Sequence, residues 1–282
     1  MAITRVLITV KTYPTISTKY EELVCTAGFL PDGSWIRIYP VQFRKKDYAQ
    51  QYSKYQWIEM DLVKNTEDFR PESFRPVAHD TEISILGSIG ADGGSWDERR
   101  KLVMKKVYTN LAEVIAEAKD KNKMTSLAVF KPTEVRDLKI KAVEREWDKE
   151  KLESLKQLNI FETLPSQRPE VVRKLPYEFS YEYIDDVGKK STLMIEDWEI
   201  GQLFWNCLKT HQLKGIELPE AERLACADVR TKYLDDFAKT KDLHFYLGTT
   251  KTHHFVSLNP FVIIGTFHAK HFVPKMVQTS LF

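Results

Sequence analysis

Aromatic and polar residues alternate over 177–183, and this alternation constrains the fold more than any other feature of the sequence. Tyrosine or phenylalanine occupies every second position, and glutamate or serine falls between them. A period of two places alternate side chains on opposite faces of a β-strand. A turn-forming stretch follows at 185–188 and a second apolar run at 192–195, so the pattern predicts two antiparallel strands.

Short β-strands also dominate the first third of the chain. The runs 6–10, 20–30, 35–39 and 55–63 have strand character, and the turn-forming tetrapeptide 31–34 joins the second run to the third as a hairpin. In the third run, Ile36 and Ile38 are predicted to face the core. Several short strands with tight turns predict a small antiparallel, β-barrel-like sheet.

Helices are predicted in the middle of the chain. Ser95 with Glu98 three residues later is the pattern of a capping box, and it predicts a helix start. Apolar residues at helical spacing from 102 to 118 predict that this helix continues without interruption. The stretch 147–158 predicts a second, short amphipathic helix, and strands are predicted at 126–130 and 135–143.

The last third combines helices with strands. A helix is predicted after Asp197 and another from Pro219 to about Ala238, followed by apolar strands at 243–247 and 261–266. The order of elements predicts an α+β protein with a mixed α/β C-terminal portion. We predict five parts: a β-rich barrel-like domain at 1–90, a helix and strand region at 91–161, a linker at 162–173, a C-terminal α+β region at 174–272 and a tail at 273–282.

Composition narrows the functional classes. The formal net charge is only +2 over 282 residues, so affinity for nucleic acid would come from a local basic surface. The three cysteines are far apart and form no zinc or disulfide spacing, which favours a reducing, cytoplasmic location. We expect no membrane partner, because no apolar run is long enough to span a bilayer.

A nucleic-acid-binding face is one hypothesis for the first third. Alternation places two aromatic rings around a cation on one face of the 35–39 strand, and a basic run follows. Rings of this kind stack on bases while cations contact the phosphate backbone. The alternative is that the strand is buried on both faces and that the basic run is a solvated turn. The candidate residues are Trp35, Arg37, Tyr39, Arg44, Lys45 and Lys46.

Two further basic residues, Arg99 and Arg100, lie in the first turns of the predicted middle helix. Cations at a helix N-terminus oppose the helix dipole, so local carboxylates, ordinary solvation or a bound polyanion must compensate. Arg99 and Arg100 are therefore added to the candidate nucleic-acid contacts.

Three carboxylates, Glu196, Asp197 and Glu199, form the candidate catalytic site. Closely spaced carboxylates supply the oxygen ligands of Mg²⁺, and a metal-dependent nuclease or nucleotide-processing enzyme would use them. The alternative is a capped helix start. The histidine pairs at 253–254 and 268/271 have no cysteine or carboxylate close in sequence, so we expect surface histidines and no metal site there.

The end of the chain carries a large apolar pair, Leu281 and Phe282, behind Gln278 and Ser280. This pattern resembles the short peptide by which bacterial replication and repair proteins bind the sliding DNA clamp, although Thr279 stands where leucine is most frequent. The resemblance implies an extended peptide that buries the two apolar side chains in a pocket of the clamp. The alternative is that they pack on their own domain as the end of a strand.

The chain as a whole resembles a family of uncharacterised prokaryotic proteins of similar length. The stretches that carry this resemblance are 11–14, 35–40, 70–73, 130–134, 195–199 and 245–249. They span nearly the whole chain, which implies one co-evolved unit, and the family brings no catalytic residues with it. Taken together, the sequence predicts a DNA-associated protein held at the sliding clamp, with a replication, repair or anti-phage role and DNA rather than RNA as its partner. A metal-dependent nuclease and a non-catalytic reader of nucleic acid or modified bases are the alternatives.

Overall fold

A computed structural model describes residues 2–17, 21–78, 80–150, 152–153 and 171–271. The predicted α+β class is confirmed: an N-terminal β-sheet is followed by helices and by further strands. The strands of the N-terminal sheet are β1 (Ala2–Lys11), β2 (Thr15–Ser17), β3 (Glu21–Phe29), β4 (Trp35–Val41), β5 (Gln56–Lys64), β6 (Ser73–Pro76) and β7 (Ile83–Ser88).

The N-terminal sheet closes into a barrel. Around the ring the neighbours are β1, β3, β4, β6 and β5, and β5 pairs with β1 again; β2 and β7 lie outside the ring, on β3 and β5. All pairs in the ring are antiparallel except β4 with β6, which are parallel over two residue pairs. Ile36 and Ile38 lie in the barrel core with Val6, Ile8 and Ile58, as the alternation predicts.

The rest of the described chain carries two smaller sheets and their helices. The elements are α1 (Asp97–Val103), β8 (Val107–Tyr108), α2 (Leu111–Lys119), β9 (Leu127–Phe130), β10 (Glu134–Ala142), β11 (Tyr177–Ile184), β12 (Lys190–Met194), α3 (Trp198–Leu213), α4 (Leu218–Arg230) with a π-helical continuation (Thr231–Ala238), β13 (Asp242–Thr249) and β14 (Phe261–Ala269). One sheet has the order β14-β13-β9-β8 and the other β10-β11-β12.

The aromatic strand is β11, and it organises the C-terminal core. Phe179, Tyr181 and Tyr183 are buried in one cluster with side chains of α3, α4 and β13. Tyr181 and Phe245 stack with ring centroids 5.3 Å apart. Aromatic pairs of this geometry add to the stabilisation from area burial, so the alternating strand is the centre of this half of the molecule.

The prediction of one helix from Ser95 to 118 is wrong. The chain forms α1, a short strand and then α2, and the residue before α1 is Trp96 in a left-handed conformation without a side-chain cap. Ser95 donates its hydroxyl to the carbonyl of Asp92, so no capping box forms with Glu98. Asn110 instead caps α2, accepting hydrogen bonds from the amides of Ala112 and Glu113.

A third hydrophobic cluster joins the barrel to the second half. It contains Phe29 of the barrel, Trp96 before α1, and Tyr246 and Phe267 of the second sheet. Backbone pairing adds to this contact, because Thr12 forms a β-bridge with Asp197 and the amide of Tyr13 donates to the carbonyl of Glu196. The segment between β12 and α3 therefore lies against the end of β1.

Several predicted features fall outside the described residues. The tail at 273–282, most of the linker and half of the predicted helix at 147–158 are among them. Within the described ranges, no helix combines the length and the apolar character that crossing a membrane requires.

Candidate functional site

The strand face predicted to bind nucleic acid is largely covered by the second half of the chain. Trp35 packs on Phe29 and on Tyr246, with centroids 4.0 and 5.9 Å away. Arg37 is 3% exposed. Its Nη2 donates to the carbonyl and hydroxyl of Ser126 at 3.1 and 2.9 Å. These two side chains hold the barrel against the second half and do not form an open stacking surface.

The other residues near β4 that were predicted to bind nucleic acid do not form one surface. Arg44 lines a cleft beside the end of β1, whereas Tyr39 and Lys46 line a different cavity at one end of the barrel. Lys46 Nζ donates to the carbonyl of Thr81 at 2.8 Å. The side chain of Lys45 lies outside the described part of the chain.

Arg99 and Arg100 both have partners within the protein. The guanidinium of Arg99 lies 3.8 Å from the ring centroid of Tyr55, and its Nε donates to the carbonyl of Ile89. Arg100 Nη1 donates to Asp242 Oδ2 at 2.7 Å. Internal contacts therefore compensate the cations at the start of α1.

Two of the three candidate carboxylates share a buried lysine. Lys54 Nζ lies 2.8 Å from Asp197 Oδ1 and 2.9 Å from Glu199 Oε2. The side chain of Asp197 is inaccessible to solvent and also accepts the amide of Glu199, so it caps α3. The predicted helix start is confirmed, and its capping carboxylate is at the same time an ion-pair partner of the barrel.

Burial and charge act in opposite directions on this ion pair. Burial raises the pKa of Asp197 to about 6, although Lys54 opposes the shift. Burial also disfavours the ammonium of Lys54, but the two carboxylates outweigh it and raise its pKa above the ordinary value. Lys54 is therefore protonated, and two carboxylates from the second half of the chain stabilise its charge.

Glu196 has different neighbours. Burial, together with the nearby Glu178, raises the pKa of Glu196. Among the described residues, no group of three or more histidine, cysteine, aspartate or glutamate side chains is placed to hold a metal ion. The carboxylates of Asp197 and Glu199 are used by Lys54, so their arrangement favours a structural role over Mg²⁺ binding.

The predicted surface position of the histidines is wrong for His254. This side chain is fully buried, and Nε2 lies 2.8 Å from the carbonyl of Ala118. His253 is exposed, and its Nδ1 lies 2.9 Å from the hydroxyl of Thr250.

Next to the ion pair, Lys11 lies in an aromatic box. Its Nζ is 4.4 Å from the ring centroid of Phe43 and 5.2 Å from that of Trp198, and it donates to the carbonyl of Tyr52. Burial, with a smaller contribution from Lys54, lowers the pKa of Lys11 to about 8. Cation–π contacts therefore replace the carboxylate partner that a buried ammonium ordinarily has.

Phe43 and Trp198 also line an open cleft of about 440 Å³. Four aromatic side chains and two arginines form its walls. The lining residues are Tyr13, Pro14, Phe43, Arg44, Gln51, Val171, Val172, Arg173, Trp198, Gln202 and Trp205.

The cleft continues into a second one of about 310 Å³, since Val171, Val172, Arg173 and Trp205 line both. We call the two together the aromatic groove. The second part adds one aromatic ring, two cations, two acids and three apolar residues, namely Trp147, Arg145, Lys174, Glu146, Glu222, Leu152, Pro176 and Leu218. Arg145 is held by Glu222 in a bidentate pair of 2.6 and 2.7 Å.

Hydrogen bonds fix the rings at the centre of the groove. Trp205 Nε1 donates to Tyr13 Oη at 2.8 Å, and Tyr13 Oη donates to the carbonyl of Arg173 at 2.8 Å. The guanidinium of Arg173 lies 3.9 Å from the ring centroid of Trp205. The ring of Tyr13 also packs closely on α3, where a Cβ added to Gly201 would lie 2.3 Å from it.

Family comparisons divide the chain into two parts, and both parts contribute residues to this groove. Residues 2–105 match a domain of unknown function, DUF8758, and residues 107–282 match another domain of unknown function, DUF8757. The chain belongs to the DUF8757 family. No curated protein matches the chain. The part that matches DUF8757 supplies Arg173, Trp198 and Trp205, whereas the part that matches DUF8758 supplies Tyr13, Phe43 and Arg44.

Of the residues that line the groove, Arg44 was predicted from the sequence as a functional residue, and most of the others were not. Trp205, Arg173 and Phe43 have no distinctive local motif. Tyr13 and Trp198, however, belong to stretches 11–14 and 195–199, which the family resemblance had singled out, and the fold brings these stretches together. These two stretches were therefore the part of the sequence that could have indicated that Tyr13 and Trp198 share a site.

Proposed function

We propose that this chain is a DNA-associated protein that binds single-stranded nucleic acid along the aromatic groove and is recruited to DNA through its C-terminal tail. One observation carries the proposal: aromatic rings and cations line two adjoining clefts, the first between the halves of the chain and the second within its second half. Proteins that bind single strands combine these two elements, because every base has a face that can stack and every nucleotide has a phosphate.

The chemistry of the lining favours a single strand over a duplex. Trp198, Trp205 and Trp147 offer indole rings, and stacking on a ring requires a base that is not already stacked in a helix. Each stacked base contributes about 1–3 kcal/mol. Arg44, Arg173 and Lys174 line the same two clefts, and in this proposal they contact the phosphates.

The charges of the chain and of the groove predict a moderate affinity for nucleic acid. The net charge of the chain is +2, and Glu146 and Glu222 lie among the cations of the groove. Stacking rather than bulk electrostatics therefore supplies most of the affinity. Three phosphate contacts to a single strand correspond to a salt slope of roughly −2 in log K against log salt.

The tail supplies recruitment in this proposal. Residues Gln278, Ser280, Leu281 and Phe282 resemble the clamp-binding peptide. Burial of the two apolar side chains is worth about 1.5–3 kcal/mol each, and ordering the tail offsets part of it, so we expect an affinity on the order of micromolar. A weak tether raises the local concentration of the groove at exposed single strands. Replication, repair and anti-phage defence are the processes in which such strands arise.

A fluorescence titration tests the groove. Tryptophan emission of the full chain is followed as oligo(dT), oligo(dA) and the corresponding RNA are added at several salt concentrations, with a blunt duplex for comparison. We expect quenching by single strands, weak binding of the duplex and a shallow salt slope. A preference for the duplex, or no binding to any oligonucleotide at low salt, would contradict the proposal.

A further inference from the structure

The loop that joins β13 to β14, residues 250–260, presents apolar side chains to solvent. Leu258 is 96% exposed and Val256 is 83% exposed, and Phe255 beside them is also exposed. Phe69, from the connection between β5 and β6, stacks on Phe255 with ring centroids 5.0 Å apart. We call these four residues the apolar patch. Apolar side chains exposed together in this way mark interaction sites on folded proteins.

Buried hydrogen bonds fix the loop that carries the patch. Both ring nitrogens of the buried His254 lie 2.8 Å from a hydrogen-bonding partner. Lys119, at the end of α2, donates to the carbonyls of His254 and Ser257 at 2.8 and 2.5 Å. These bonds hold the backbone on both sides of Phe255 and Val256. The apolar side chains are therefore held in solvent before any partner binds, and association requires little ordering of the loop.

The exposure of the patch indicates the kind of partner that it fits. Small molecules bind in concave sites that cover most of the ligand surface. Leu258 and Val256 instead project from the surface of the protein, as their large exposed fractions show. Another protein surface can cover both side chains at once, and burial of their apolar area is then the driving force for association.

The charges around the patch favour a second copy of this chain as that partner. Lys251 is the one lysine, arginine, aspartate or glutamate among residues 250–260, so two patches can meet without like charges at the centre. At the rim, the Lys251 ammonium donates to the backbone carbonyl of Glu67, and both residues are exposed. A two-fold axis through the patch can place Lys251 of each copy opposite Glu67 of the other. The rim is therefore self-complementary, as a two-fold dimer requires.

We propose that the apolar patch is the interface of a two-fold symmetric dimer of this chain, with Lys251 of each copy paired with Glu67 of the other. Four side chains, two of them partly covered, supply less than the roughly 800 Å² per partner that stable interfaces bury. We therefore expect a weak dimer, with a dissociation constant on the order of tens of micromolar. The inference does not rest on the proposed function, because no residue of the patch lines the groove or belongs to the tail.

Sedimentation equilibrium of the full chain, over a roughly hundredfold range of concentration, tests the inference. Val256→Asp and Leu258→Asp each place a charge in the interface at an exposed position, with little risk to the fold. Val187→Asp, the same change at an exposed valine in the turn between β11 and β12, is the matched control. We expect the wild type and Val187→Asp to dimerise equally. The affinity should fall at least roughly tenfold in the two patch variants, because a charge would be buried without a partner.

Charge reversal at the rim tests the pairing between copies. Lys251→Glu and Glu67→Lys should each weaken the dimer, since like charges then face each other. An equimolar mixture of the two variants should recover the dimer, because both pairs across the mixed interface again have opposite charges. Contacts within one chain cannot produce this recovery. The mixture of Lys101→Glu with Glu98→Lys, at an exposed pair on α1, carries the same net charges and should dimerise like the wild type.

Three results would each overturn the proposal. A wild type that stays monomeric at the highest concentration would leave a protein of different sequence as the partner of the patch. Dimers that persist in both Val256→Asp and Leu258→Asp would place the interface on another surface. A mixture of Lys251→Glu with Glu67→Lys that dimerises no better than its components would exclude the two-fold pairing.

Discussion

Lys54, in the turn before β5, donates two hydrogen bonds to Asp197, the residue that caps α3, at 2.8 and 2.9 Å. Glu199 completes the contact at 2.9 Å. The side chains of Lys54 and Asp197 are 5% and 0% exposed. A capping carboxylate of one half is therefore neutralised by a cation of the other, so the start of α3 and its aromatic residues are fixed relative to the barrel.

Replacement of Lys54 by methionine should destabilise the protein by about 3–5 kcal/mol, because a buried carboxylate then loses its counter-ion. Chemical denaturation of the purified protein measures this loss. Lys101→Met is the control, since Lys101 is 69% exposed and its pair with Glu98 is worth about 0–1 kcal/mol. Lys54→Met combined with Asp197→Asn should recover part of the loss. Equal effects of Lys54→Met and Lys101→Met would contradict the role of this ion pair.

Lys11 predicts a pH dependence with a defined sign. Its pKa is about 8 in the folded protein, against an ordinary value of 10.5. Between these values the unfolded chain binds more protons, so the contribution of Lys11 to stability rises with pH in this window. Unfolding free energies of the wild type and Lys11→Met are compared from pH 7.5 to 10.5. The advantage of the wild type should increase with pH; parallel curves would show that Lys11 is not desolvated.

The substitution Gly201→Ala tests whether helix propensity or packing has the larger effect on the stability of the protein. Propensity alone predicts a gain of about 1 kcal/mol for alanine inside α3. The new Cβ would lie 2.3 Å from the ring of Tyr13, and overpacking of this kind costs about 1–3 kcal/mol. We expect a net loss of stability, measured by thermal unfolding, and weaker oligonucleotide binding. Gly90→Ala, in a loop where the new Cβ has its nearest neighbour at 3.8 Å, is a control for the added Cβ without the propensity gain. A stabilised Gly201→Ala would show that Tyr13 does not rest on α3.

Local patterns in the sequence predicted the strands well, because side-chain alternation is a property of a few adjacent residues. Ile36, Ile38 and the aromatic strand β11 lie in cores as expected. The prediction of one uninterrupted middle helix was wrong. Asn110, a good N-cap residue, lies inside an apolar pattern that continues past it.

The site was harder to predict than the strands. Alternation placed Trp35 and Arg37 on the outside of the barrel, but only the fold shows that the second half of the chain covers them. Lys54 has no motif, and its partner Asp197 is 143 residues away in sequence. The groove likewise joins residues from distant parts of the chain, a relationship that no local pattern contains.

The tail makes a separate prediction. Full-length protein and purified sliding clamp should bind with an affinity on the order of micromolar in fluorescence anisotropy. Leu281→Ala with Phe282→Ala should weaken binding at least tenfold, because two buried apolar side chains are lost. Met276→Ala, which precedes the motif, serves as the control. Binding that is unaffected by the double substitution would remove the tether and leave the groove untouched.

The most direct test of the account is the affinity of oligo(dT) for Arg173→Glu compared with Lys121→Glu. Arg173 lies over Trp205 in the groove, whereas Lys121 is an exposed residue beyond α2 that does not line it. Both substitutions change the net charge equally. We predict at least a roughly tenfold loss for Arg173→Glu, with a shallower salt slope, and a change of less than about twofold for Lys121→Glu. Equal losses in the two variants, or full affinity in Arg173→Glu, would contradict the assignment of the groove.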